Sequence, residues 1–209
     1  SIELAKMNPN RIGIAPWIKP YTERCDDEFI RVFEANIQYI KAIKLHSYHS
    51  NMAITDEVMK PYIELARKHH LPFVIHTGGC EKARCIHVKD AALKYPDINF
   101  VMVHLDLGSD HQEALEVLGM ADNLYGDTTW VPLETTLEVI KRYGSKKIIF
   151  GSDAPIDGVD TYLTNKFGED SLYLDYWYKL PNLISKEDYE NIMYKNAINV
   201  FNLGGIIYE

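Results

Sequence analysis

The sequence predicts an α/β fold of the (β/α)-barrel type, with six of a barrel's eight strand–helix units inside its 209 residues. Three observations predict it. First, short apolar runs stop at chemistry-bearing side chains. Pro72-Phe73-Val74-Ile75 ends in His76-Thr77-Gly78-Gly79, Phe100-Val101-Met102-Val103 ends in His104-Leu105-Asp106, and Lys147-Ile148-Ile149-Phe150 ends in Gly151-Ser152-Asp153-Ala154-Pro155. Runs of this kind read as strands buried on both faces, the form that parallel strands take. Second, strand and helix patterns alternate without interruption, which argues for βα units in one domain rather than for two domains. Third, three strands each carry a metal-competent or acid/base side chain at the carboxyl end, where a parallel barrel assembles its site.

In order, Ser1 to Met7 reads as the tail of a helix, and Asn8-Pro9-Asn10 as a turn. A first strand is expected over 11–17, closed by Pro20. A helix over about 26–39 follows, with Asp26, Asp27 and Glu28 in its first turn, where the helix dipole favours acids. The second strand, 40–45, leads to Lys44 and His46 on one side, because side chains alternate. Thr55 is the expected N-cap of a helix running to about 69, with Met59, Tyr62, Ile63 and Ala66 on its apolar face. Strands 72–76 and 98–104 lead to helices near 84–95 and 110–120. Strand 123–128 leads to a helix over 132–143, and strand 147–152 to an aromatic segment, 157–183. Within that segment Tyr173 to Tyr178 reads as a packed helix. The last helix opens at Ser185, with Asp188 three residues on as in a capping box, and Tyr189, Ile192, Met193, Ala197, Val200 and Phe201 form its packing stripe. Six strands and a start without Met agree with two further units upstream. At roughly 30 residues each, these would bring the chain to the roughly 250 residues usual for a closed barrel.

Composition sets the bounds. At 46% hydrophobic and 25% charged residues the chain can bury a sizeable core as a single domain. A net charge of −8 without clustered Lys and Arg speaks against a nucleic-acid partner. No apolar run approaches the roughly 20 residues that span a bilayer, and nothing at the start resembles a signal peptide, so no membrane partner and a cytoplasmic location are expected. Cys25, Cys80 and Cys85 are an odd set without a CxxC pair, which points to reduced thiols.

The chemistry suggested by the strand ends is that of a metal site. Neutral imidazole and carboxylate are ligands that Zn²⁺ accepts at a catalytic site with an open position. Asp153 is also read as a turn residue before Ala154-Pro155, and Lys44 as a strand-end lysine reaching solvent. Trp130 is as readily a core residue as a pocket residue. His49, His69, His70, His87 and His111 are expected at the surface.

The segments Lys44-Leu45-His46, Val74-Ile75-His76-Thr77-Gly78, Val103-His104-Leu105, Leu124-Tyr125-Gly126-Asp127-Thr128 and Phe150-Gly151-Ser152-Asp153-Ala154-Pro155 stand in an order and spacing that resemble the amidohydrolase superfamily. The nearest branch is the amidohydrolase 2 group of metal-dependent hydrolases, which also holds aminocarboxymuconate-semialdehyde decarboxylase and related decarboxylases. The resemblance runs from about Asn8 to Leu203, includes Asn196-Ala197, and implies a TIM-type barrel. It implies that His76, His104 and Asp153 are metal ligands, and that Asp153 and His104 are the catalytic acid/base groups. Lys44 and His46, with Thr128 and Trp130 after strand 123–128, are then expected to bind substrate. The family's first strand ends in an HxH pair, which this sequence does not contain. Numbering the six strands as the third to the eighth accounts for that.

The resulting expectation is a metal-dependent hydrolase of a small-molecule amide or ester bond, with zinc first and manganese second as cofactor, a small molecule as partner, and room for a homo-oligomer. The alternatives are a non-oxidative decarboxylase of the same design, or a non-catalytic binding or assembly protein if the HxH pair is absent altogether.

Overall fold

A computed structural model describes residues 1–154 and 172–204. Six parallel strands form one sheet in sequence order: β1 (Trp17–Ile18), β2 (Ile43–Leu45), β3 (Phe73–Gly78), β4 (Phe100–Leu107), β5 (Leu124–Asp127) and β6 (Ile148–Ile149). Each is joined to the next through helix, so every carboxyl end lies on the same side. The result is an α/β fold with a partial TIM-type barrel. Around it lie α1 (Ile2–Met7), α2 (Asp27–Ala35), α3 (Ser47–Ser50), α4 (Lys60–Lys68), α5 (Cys85–Lys94), α6 (Gln112–Val117), α7 (Leu133–Tyr143) and α8 (Leu172–Leu174). At the end of the described chain α9 (Lys186–Glu190) passes through a π turn (Asn191–Lys195) into α10 (Asn196–Val200).

The central strands fold where the apolar runs predict, and for the predicted reason. Ile43, Leu45, Phe73, Ile75, Phe100 and Met102 are all fully buried, and Phe73 stacks on Phe100 with ring centroids 5.9 Å apart. Burying each such side chain is worth about 1.5–3 kcal/mol, so the β2–β3–β4 unit is the anchor of the sheet. Residues between them, Lys44, His76 and Asp127 among them, face the other side.

The outer strands are shorter than expected. Over 11–17 only an isolated bridge, Ile14 to Ile40, precedes β1, because Pro16 has no N–H to give the ladder and contributes only its carbonyl, to Lys44 N. Strand 147–152 shrinks to Ile148–Ile149, since beyond it the Phe150 N–H bonds to Ile192 O in the C-terminal helical region rather than to a strand. Conversely, β4 runs past 104 to Leu107, and its pairing with β3 slips between His76 and Gly78. Gly78, at φ +102°, packs so closely on Leu107 that any Cβ would collide with the Leu107 backbone.

Most helix ends follow the sequence. Asp26 caps α2, its carboxylate accepting from Phe29 N at 2.9 Å, and Ser185 caps α9 while its hydroxyl donates to Asp188 Oδ2 at 2.7 Å. Thr55 is not a cap. Residues 57–59 form a 3₁₀ turn, and Asp56 instead binds Ala53 N and Lys82. The expected stripe of the last helix is divided by the π turn: Ile192 enters the main core, while Val200 packs with Val101 and Ile149. Of the aromatic segment 157–183, residues 157–171 lie outside the described residues; Tyr173 and Tyr176 are buried, and Trp177 and Tyr178 are exposed. Among the described residues no helix is long and apolar enough to cross a membrane, and all three cysteines are free.

Polar pins tie helix to strand. Asn196, buried in α10, donates to Ser145 O at 2.8 Å and Ile148 O at 2.7 Å. Asn196→Ala leaves two carbonyls unsatisfied and is expected to cost about 2 kcal/mol in urea unfolding. Asn182→Ala, which removes an exposed bond to Tyr178 O, is expected to change stability by less than about 0.5 kcal/mol.

Candidate functional site

Three neighbouring strands bring side chains to one mouth. Lys44 and His46 come from β2 and the residue after it, His76 from β3, and His104 from β4. The His76 ring lies 4.0 Å from the His46 ring, nearly parallel at 17°, and 4.8 Å from the His104 ring in an edge-on arrangement. His49, from α3, adds a fourth imidazole 4.2 Å from His46. Trp17 and Tyr48 complete an aromatic rim, Trp17 5.3 Å from His46 and Tyr48 6.3 Å from His76, both partly open to solvent at 43% and 51%.

The backbone is strained where the site is. His104, Leu105 and Asp106 have φ of 74°, 48° and 75°, and Trp130 and Asp153 have 61° and 54°. For residues other than glycine such conformations cost about 1–3 kcal/mol each and persist where packing and hydrogen bonds enforce them. Thr77 is one enforcer: its hydroxyl donates to Val103 O at 2.7 Å and accepts from Asp106 N at 2.9 Å, bracketing the turn. The other is the loop after β5. The Asp127 carboxylate accepts from His104 N at 2.9 Å, from Thr129 N at 3.2 Å and from the Thr129 hydroxyl at 2.7 Å. The loop then offers Thr129 O to His104 Nδ1 at 3.1 Å, and the Trp130 indole donates to Asp153 Oδ2 at 3.3 Å.

A carbonyl can only accept, so His104 carries its proton on Nδ1 and presents Nε2 as a free lone pair. Burial lowers the pKa of His104, with the Thr129 carbonyl and Asp153 opposing. Burial also pushes His76 down to about 3 and His46 down to about 4, helped by the neighbouring imidazoles and Lys44, so these rings are neutral at ordinary pH. Lys44 is lowered by burial against the attraction of Asp127 and Asp153. Asp127 is raised to about 6 by burial, in spite of the donors around it.

The expected site residues are therefore distributed as follows. His76 and His104 are brought together, and both are buried. Asp153 is tied to Trp130 and within electrostatic reach of His104 and Lys44. His46 belongs to the cluster as a stacking partner of His76. Thr128 is fully buried, and its hydroxyl donates to Gly151 O and accepts from Gly151 N, both at 3.0 Å, clamping the ends of β5 and β6. His111 is not a surface residue. It is buried at φ 62°, with Nδ1 on Leu105 O at 2.6 Å, so it braces the strained turn from behind. His87 Nε2 is buried without a partner.

The donors suit a divalent cation in kind, since neutral imidazoles with a free nitrogen and a carboxylate are what such an ion binds. Yet among the described residues no three His, Cys, Asp or Glu side chains are gathered as a group that could hold a metal. His76, His104 and Asp153 supply the right chemistry without forming a closed set.

No curated protein sequence matches the chain. Solved structures match it in fold. A variant of 5-carboxyvanillate decarboxylase from Novosphingobium aromaticivorans, solved with bound manganese and 3-methoxy-4-hydroxy-5-nitrobenzoic acid, has a TM-score of 0.69 at 11% identity over 96% of this chain and 68% of its own. The 2,6-dihydroxybenzoate decarboxylase from Rhizobium has a TM-score of 0.68 at 14% identity, over 98% of this chain and 75% of its own. A probable 2-pyrone-4,6-dicarboxylic acid hydrolase from Acinetobacter baumannii, solved with citric acid, has a TM-score of 0.65 at 12% identity over 96% and 77%. At these identities the likeness is one of fold. The sequence itself carries the closer relation: the model of the family described as amidohydrolase matches residues 2–203, nearly the whole chain, and the chain belongs to that family.

Proposed function

We propose that the chain is a metal-dependent, non-oxidative decarboxylase of a small planar carboxylic acid. The observation that carries this reading is His104, held with Nδ1 on the Thr129 carbonyl and Nε2 free, 4.8 Å from a second neutral imidazole at the same mouth. Two of the similar folds are decarboxylases of aromatic acids, one of them with manganese. That supports the reaction class and places manganese level with zinc.

Each residue then has a physical task. His76 and Asp153 are the groups that would hold a divalent cation, which would supply a fixed positive charge to bind and orient the oxygens of the substrate, and the one free nitrogen of His104 is left for the proton. Lys44, half-buried and attracted by Asp127 and Asp153, adds a second cation on which a carboxylate can settle. The flat His46–His76 stack, with Trp17 beside it, offers a planar surface against which a conjugated ring packs. In the reaction the bond between the ring carbon and the carboxyl carbon breaks, CO₂ leaves, and a proton takes its place on the ring carbon. His104 Nε2 accepts a proton from substrate or solvent and delivers it to that carbon. Trp130 keeps Asp153 oriented rather than touching substrate through its indole N–H.

Hydrolysis of an amide or ester is the second reading, favoured by Asp153: a carboxylate beside the imidazoles can take the proton of an attacking water. The match in fold to a probable hydrolase supports it.

Incubation with Mn²⁺ or Zn²⁺ and a panel of aromatic carboxylates is expected to release CO₂ without an oxidant. His104→Gln is expected to lower kcat about 10²–10⁴-fold while the fold persists. Ester or amide cleavage in place of CO₂ release selects the second reading. His76→Ala is expected to weaken Mn²⁺ binding in titration calorimetry at least about tenfold; an unaltered wild-type titration without bound metal favours a binding protein instead.

The imidazoles also set the acid sensitivity. In the unfolded chain His46 and His76 titrate near 6.5, whereas in the folded chain they resist protonation down to about 4 and about 3. The unfolded state therefore takes up protons first, and stability falls as pH drops from about 6.5 toward 4. Asp127, held at about 6, acts in the opposite sense below that pH and offsets part of the loss. The number of protons taken up on unfolding at pH 5.5 is expected to fall by about one in His76→Gln, read from the slope of urea-unfolding free energy against pH.

A further inference from the structure

The buried carboxylate of Asp127 is not assigned a part in the chemistry above, and its surroundings show why it does not touch substrate. Both oxygens are used by the protein: Oδ1 accepts from His104 N and Thr129 N, and Oδ2 accepts from the Thr129 hydroxyl. Gly151 closes the remaining side. A Cβ there would lie 2.6 Å from Thr129 Oγ1 and 2.9 Å from Asp127 Oδ2, so the carboxylate sits in a slot that only a bare backbone leaves open. What Asp127 grips is backbone. Its three donors span two strand ends, the His104 peptide of β4 and the Thr129 turn after β5, and both include left-handed residues, His104 at 74° and Trp130 at 61°. From the turn so fixed, two bonds run into the site, Thr129 O to His104 Nδ1 and Trp130 Nε1 to Asp153 Oδ2.

We propose that Asp127 is a positioning residue for two site groups at once: by clamping the 127–130 turn onto the His104 peptide it sets the Nδ1–H tautomer of His104 and the orientation of Asp153. The catalytic importance of this rests on the reading of His104 as the proton-transfer group; the clamp itself does not. The two bonds are coupled through one turn of four residues, so loosening the carboxylate releases both. A single change distant from the reacting atoms thereby misplaces an acid/base and its neighbouring carboxylate together.

The test is ¹⁵N NMR of the protein labelled at histidine, at a pH where the His104 ring is neutral, without added metal. Wild type is expected to show His104 as the Nδ1–H form, with Nε2 unprotonated. Asp127→Ala is expected to give a mixture of tautomers, and Asp127→Asn, which keeps an oxygen toward the two N–H groups, to restore the wild-type pattern largely. With a turnover assay in hand, Asp127→Ala is expected to lower kcat about 10–100-fold with KM changed less than about threefold, and Asp127→Asn to recover most of it. Gly151→Ala presses on Thr129 and Asp127 without removing the carboxylate and is expected to shift the same ¹⁵N signals, which keeps the proposal testable if Asp127→Ala does not fold. A folded Asp127→Ala or Gly151→Ala protein that retains a pure Nδ1–H His104 overturns the clamp. An absence of decarboxylation with the tautomer shift present overturns the proposed reaction and leaves the clamp standing.

Discussion

The in-register pairing of β3 with β4 is the constraint on which the site depends. Phe73 opposes Phe100, Ile75 opposes Met102 and His76 opposes Val103, so both strands reach the mouth at the same level. The apolar members of the pair face the helices and are fully buried. This burial is worth several kcal/mol in aggregate and offsets backbone conformations at His104, Leu105 and Asp106 that would otherwise be unfavourable. Just past His76 the register slips, and the slip lets the His104 imidazole turn to the face that His76 already occupies.

Charge in the mouth is managed by neutrality. Four imidazoles within a few ångströms could not all be protonated at reasonable cost, and burial together with mutual repulsion keeps His46 and His76 uncharged. The nearby charges of opposite sign are Lys44 on one hand and Asp127 and Asp153 on the other. An arrangement of neutral nitrogen donors beside a half-buried ammonium and a carboxylate suits an anionic, oxygen-rich ligand, which is the physical basis of the proposed carboxylic acid substrate.

Much of this was legible in the sequence, and for identifiable reasons. Strands buried on both faces are uninterrupted apolar runs, so 72–76 and 98–104 announce themselves along with the histidines that end them. The caps at Asp26 and Ser185 are local chemistry and fold as written. Edge strands are less legible: Pro16 curtails the ladder of β1, and the C-terminal helical region takes the N–H of Phe150 that a longer β6 would have used. Burial decided by distant contacts left no local trace. Nothing near His111 shows that it will reach Leu105 O, nothing near Thr128 shows that Gly151 will consume its hydroxyl, and the acceptor role of Asp127 depends on a peptide 23 residues away in sequence. The edge-on contact of His49 with His46, the ring that stacks on His76, was likewise hidden, because it needs a short helix, α3, that no apolar periodicity marks.

The central claim is that His76 and His104 share one mouth with Asp153 and present free nitrogens to it. Anomalous diffraction from crystals of the protein equilibrated with Mn²⁺ tests it most directly. The account predicts a peak bonded to His76, at about 2.0–2.3 Å, and adjacent to His104 or Asp153. A manganese peak confined to surface carboxylates, with His76 and His104 pointing away from each other, would contradict it.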